Sequence, residues 1–203
     1  MAFSSLAEID AYMKTNKCEF WEAVIREEAR DSQQPEMDIV NRMTQMYRSM
    51  KEADEAYDDS LTSRSGLSGK NGKKMADYAA THKCLCGKFG GAVMARAIKM
   101  AESNACMKRI VAAPTAGSCG VVPAILITYE RMTNTSENDM VKALFVAAGI
   151  GDVIARRASI SGARGGCQAE IGASSAMAAG ALAWLKSGSS HLITPVSYTH
   201  LRA

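Results

Sequence analysis

Residues 136–158 read SENDMVKALFVAAGIGDVIARRA, and this stretch decides the fold class. Ser136 is a residue type that caps helices. Glu137 and Asp139 place negative charge at the positive end of the helix that follows. The run behind them is dominated by small and apolar side chains, as expected of a helix buried among others. Outward on the C-terminal side, Ser161–Cys167 reads as a loop rich in glycine. A further helix is expected from near Gln168 to about Lys186. On the N-terminal side, residues 107–120 (MKRIVAAPTAGSCG) contain at most a short strand at Ile110-Val111 before a Pro, Gly and Ser turn. Pro123 then opens a helix through Ile125, Leu126 and Tyr129.

The N-terminal third differs in character. Arg26–Asp31 and Lys51–Asp59 are dense in charge, which fits solvated amphipathic helices. Ser4 or Ser5 is placed to cap a helix running to about Lys14. Trp21, Val24 and Ile25 share one face of a second. Pro35 suits the first position of a third. There Met37, Val40, Met43, Met46, Tyr47 and Met50 recur at helical spacing, a packing face or a surface for a partner chain. Helices are also expected at about Lys73–His82 and Phe89–Ser103. No internal repeat and no β-α alternation occurs. The expected fold is therefore all-α: predominantly helical, with Gly/Ser-rich loops between helices and at most one or two short strands.

The 203 residues are 47% hydrophobic and 22% charged, values that exclude wholesale disorder. The length fits one good core and is short for two independent ones. A net charge of +3, from 24 basic against 21 acidic residues, gives no argument for nucleic acid. No apolar run approaches the roughly 20 residues that span a bilayer. Glu8 and Asp10 interrupt any secretory leader pattern. A cytoplasmic protein is expected, with its six cysteines reduced.

Three loops carry Gly and Ser at helix starts, where exposed N–H groups bind anions such as a carboxylate. They are Ser65–Gly69, Pro114–Ser118 and Ser161–Cys167. None matches a nucleotide-binding pattern. Cys167 stands at a loop–helix junction beside Gln168 and Glu170. A thiolate there would gain from the helix N-terminus, as a nucleophile or a soft-metal ligand. His82, His191 and His200 are the only histidines available as bases, so a Cys–His protease arrangement has little support.

Two motifs, Ile110–Leu126 (IVAAPTAGSCGVVPAIL) and Ala143–Leu182, together with the looser SGLSGKNGKKM of Ser65–Met75, resemble the α subunit of the iron–sulfur-dependent L-serine dehydratases. The resemblance covers most of residues 1–186. It implies a lyase of amino-acid degradation that converts L-serine to pyruvate and ammonia by β-elimination. It also implies a [4Fe–4S] cluster held by three cysteines, acting as Lewis acid on the substrate hydroxyl.

By motif position, the resemblance makes Cys167 the one cluster ligand in this chain. Two further ligands are expected in segments beyond Ala203. Serine binding is expected at Thr115, Ala116, Gly117 and Ser118, and at Ser65, Gly66, Ser68 and Gly69. The base that removes the α-proton is not assigned, and Glu170 is equally a helix-capping carboxylate. A separate β subunit or a second copy of the chain is the implied partner. L-Cysteine desulfidation, or a non-catalytic helical subunit, are the alternatives. Residues 1–186 are read as one helical domain, incomplete at its C-terminus. Residues 187–203 are read as a non-native or disordered tail, because Pro195–Ala203 looks like translated adapter sequence.

Overall fold

The structure is a computed structural model that describes residues 3–81 and 84–200. It is all-α: helices and one 3₁₀ turn are the only regular elements among the described residues. The chain divides into two compact units, Met1–Tyr47 with Ser136–Ala203, and Arg48–Thr135.

The first unit holds α1 (Leu6–Asn16), α2 (Phe20–Ser32) and the first part of α3 (Glu36–Glu55). It also holds α7 (Glu137–Arg157), α8 (Gly162–Ser187), a 3₁₀ turn at Ser190–Leu192 and α9 (Ile193–His200). Ser5 caps α1 by accepting from the Glu8 N–H at 3.2 Å. The expected cap on α7 is present, with Ser136 Oγ accepting from the Asp139 N–H at 3.1 Å. Arg156 and Arg157 close α7 at its negative end. α7 packs on α2 and α8 and is buried along most of its length, including Met140, Leu144, Phe145 and Ile150. Gly149 permits the close approach to α2, since a Cβ there would stand 3.0 Å from the Phe20 ring.

α8 and α9 pack together through small side chains, and Ile193 is fully buried. Ser190 Oγ donates to Glu19 at 2.8 Å and accepts the Phe20 N–H at 3.3 Å. Ser190–His200, part of the segment expected as a non-native or disordered tail, is helical.

The second unit holds the rest of α3, α4 (Asn71–Ala80), α5 (Gly87–Ala105) and α6 (Val121–Thr133). α5 is the central element and packs on both α4 and α6. Leu126, Ile127, Val122 and Met100 are buried here. A buried ion pair joins α3 to α5: Asp54 accepts from Arg96 Nε at 2.8 Å and also faces Arg131 at 3.3 Å. No strand forms at Ile110-Val111, because no second strand in the described residues is there to pair with it. α4 starts two residues ahead of its expected position, at Asn71. α3 and α6 begin at Glu36 and Val121 respectively, which puts Pro35 just before one helix and Pro123 inside the other.

Candidate functional site

Thr115–Ser118 forms a tight turn directly before α6. Cys119 N–H donates to Ala116 O at 3.4 Å, and Val121 N–H to Ser118 O at 3.0 Å. The Thr115 and Ser118 hydroxyls bond each other at 3.0 Å, and Ser118 is buried. These bonds leave the N–H groups of Ala116, Gly117 and Ser118 with no acceptor among the described residues. Ala116 and Gly117 are exposed. α6 has no side-chain cap of its own. Consecutive free N–H groups ahead of an uncapped helix are an anion-binding arrangement.

Ser65–Gly69 is organised differently. Ser63 closes the loop by donating its N–H to Ser68 O at 2.8 Å, accepting the Gly66 N–H at 2.8 Å and offering Oγ to the Ser68 N–H at 3.1 Å. Leu67 N–H turns to Ser65 Oγ at 3.4 Å. The loop thus spends most of its donors on itself, and the Ser65 hydroxyl also bonds Ser63 Oγ at 3.1 Å. Ser65 and Gly66 are exposed, and Ser68 and Gly69 half-buried.

The structure ties both loops to the last turns of α5. Asn104 Nδ2 donates to Ala116 O at 3.0 Å. Glu102 accepts from the Asn71 and Gly72 N–H groups at 2.8 and 3.0 Å, where the chain leaves the serine loop, and from the Tyr57 hydroxyl at 2.8 Å. Burial pulls the Glu102 carboxyl upward, but the bonds from Gly72, Tyr57 and Asn71 outweigh it and hold it below the usual glutamate range. Burial and the Glu102 carboxylate push the Tyr57 phenol up to about 12. Sequence reading missed Glu102 and Asn104.

Cys167 lies in the first unit and is exposed. The expected 161–167 loop contains a short helical turn, and α8 is broken at Gly166, whose φ of 76° and ψ of 176° suit only glycine. Cys167 is the first residue past that break. The Glu170 carboxylate folds back over Gly162, the geometry of a helix-end carboxylate. Cys119 is a core thiol 3.9 Å from Met100 O. His191 is exposed, while His82 and the His200 side chain lie outside the described residues. A cavity of about 650 Å³ in the second unit is walled by Ala79, Cys84, Lys88, Arg96 and Arg131, and none of the expected serine-binding residues lines it.

The family model for the serine dehydratase alpha chain matches residues 15–196. The chain belongs to the serine dehydratase alpha chain family. It is 34% identical over 186 residues to the probable L-serine dehydratase, alpha chain, of Bacillus subtilis, covering 92% of this chain and 62% of that protein. It is 43% identical over 116 residues to the L-serine dehydratase, alpha chain, of Peptoniphilus asaccharolyticus, covering 57% of this chain and 40% of that one. It is 46% identical over 94 residues to L-serine dehydratase 1 of Escherichia coli, covering 46% and 21% respectively.

An iron–sulfur cluster of the kind the family resemblance implies needs three thiolates around one point. Cys167 is exposed and could offer one, but no group of three His, Cys, Asp or Glu side chains that could hold a metal ion occurs among the described residues. The described residues do not by themselves gather a ligand set for the cluster.

Proposed function

We propose that this chain is the serine-holding part of an L-serine dehydratase, a lyase that removes water from L-serine to give pyruvate and ammonia. The observation that carries the reading is the row of free N–H groups at Ala116, Gly117 and Ser118, inside a segment matched by the family model. The substrate carboxylate bonds to those N–H groups and gains from the N-terminus of α6. Thr115, Ser118 and Asn104 hold the turn in shape. The hydroxyls of Ser65 and Ser68 serve the amino and hydroxyl ends of the substrate.

In the reaction, serine loses its α-proton to a base and its β-hydroxyl as water. The aminoacrylate so formed tautomerises to an imine, which water hydrolyses to pyruvate and ammonia. No step is assigned to a cluster, although Cys167 is the residue this chain would offer to one. The partner is a β subunit or a second copy of the chain, for which the exposed Met37 and Met46 on α3 are contact candidates. Among the described residues no helix is long and apolar enough to cross a membrane. We place the protein in the cytoplasm, in keeping with six free cysteines.

The test is anaerobic pyruvate release from L-serine and from L-cysteine, by the chain incubated with iron, sulfide and a β subunit. Pyruvate from L-serine is expected. Release from L-cysteine alone supports desulfidation. Serine binding without turnover supports a non-catalytic subunit. Neither binding nor turnover refutes the reading.

A further inference from the structure

We infer that Glu102 is the positioning residue of the serine site, clamping the Ser65–Gly69 and Thr115–Ser118 loops to one helix end so that they act as a unit. The inference rests on the serine-binding reading of those loops. Its observations are independent of each other. First, α4 begins at Asn71 with no cap of its own, since Lys70 offers no side-chain hydrogen bond. Glu102, some thirty residues further along the chain, supplies the missing acceptor. It takes the Asn71 N–H on one oxygen and the Gly72 N–H on the other.

Second, Glu102 is 4% exposed, and a buried carboxylate needs its lone pairs filled. Tyr57 fills the remaining position, under the Lys99 ammonium 5.2 Å from its ring. A charged acceptor with this partner set is stiff, because charge-assisted bonds are about twice as strong as neutral ones. Third, the same turn of α5 carries Asn104, whose side chain holds the Ala116 carbonyl. Ala97 and Met100, a turn earlier, lie against Gly120 and Cys119 at the far end of that loop. Any tilt of the α5 end therefore moves both loops. An acid with a purely structural role would lower stability and leave the 116–118 loop unchanged relative to any other destabilised variant.

The experiment compares Glu102→Gln, Tyr57→Phe and, as a control for lost stability, Ser136→Ala in the other unit. Two quantities are measured on the full chain: amide hydrogen exchange by residue, and L-serine affinity by titration. In Glu102→Gln the amide group faces one of the N–H donors and cannot accept from it. Exchange at Asn71 and Gly72, and at the bonded Cys119 and Val121 amides that close the 115–118 turn, is expected to rise about tenfold, and serine to bind about tenfold more weakly. Tyr57→Phe keeps the carboxylate and is expected to show the same pattern at about threefold; it decides the matter if Glu102→Gln does not fold. Ser136→Ala is expected to change neither. Exchange that rises at Asn71 and Gly72 but not at Cys119 and Val121 overturns the clamp. So does a serine affinity that falls no further in Glu102→Gln than in Ser136→Ala. If the unaltered chain binds no serine, the proposed function fails, and the exchange pattern alone still decides the clamp.

Discussion

Replacing Asp54 by Asn removes a charge that two arginines share. Asp54 has a side chain 6% exposed, and its main partner Arg96 is 14% exposed, with Nε at 2.8 Å. Arg96 otherwise has the Thr128 hydroxyl at 2.5 Å. Loss of one charged hydrogen bond at a buried guanidinium costs about 1.5–3 kcal/mol. The Arg131 contact at 3.3 Å adds only about 0.5 kcal/mol, because Arg131 is 47% exposed and keeps Glu55 as a partner. The sum is about 2–3.5 kcal/mol. A chain of this size loses about 2–4 °C in Tm per kcal/mol, so thermal unfolding followed by circular dichroism is expected to move down by about 4–14 °C. The double change Asp54→Leu with Arg96→Met removes both charges together and is expected to recover most of that loss, since an unpaired buried charge costs more than an apolar pair. A drop below about 2 °C for Asp54→Asn, or a double variant less stable than the single one, refutes the reasoning.

Four further outcomes follow from the geometry. Ser136→Ala deletes the α7 cap and is expected to cost about 1 kcal/mol, read as a shift in urea midpoint with unchanged slope. Gly166→Ala puts a side chain on a backbone that only glycine adopts readily; about 1–3 kcal/mol of strain is expected, with altered reaction of the Cys167 thiol toward a disulfide reagent. The Glu102 carboxyl is held below its ordinary value of 4.5, so it stabilises the fold above that pH. That contribution is lost as the pH falls below 4.5, and Glu102→Gln is expected to flatten this acid limb. At the other end Tyr57, raised to about 12, stabilises the neutral-phenol fold below pH 10 and loses that contribution as the pH rises through 12; ultraviolet titration compared with Tyr57→Phe is expected to lose a late-ionising tyrosine.

Much of the helical frame was legible because it is local. Ser5 and Ser136 announce their helices through side-chain acceptors, and both caps form. The Thr115–Ser118 turn was legible as an anion-binding candidate, since Gly and Ser ahead of a helix leave N–H groups free. Which N–H groups stay free was not. In Ser65–Gly69, Ser63 consumes several of them, a choice fixed by loop geometry that residue types do not reveal. The division into two units was hidden for a similar reason: it joins α1 and α2 to α7 and α8 across more than a hundred residues. Glu102 did leave a signal. It falls seven residues after Ala95 on the stripe that carries Gly91, where a helix with a buried small-residue face has no ordinary use for an acid. Its partners lie some thirty and forty-five residues away, so the sequence alone does not supply them.

The central claim is that the free N–H groups of Ala116, Gly117 and Ser118 hold a serine carboxylate. It is tested most directly by titrating the ¹⁵N-labelled chain with L-serine and, separately, with L-serinamide, which lacks the carboxylate. The account predicts saturable shifts at the amides of 116–118 with L-serine and none with L-serinamide. Equal shifts from both compounds, or shifts from L-serine confined to other residues, would contradict it.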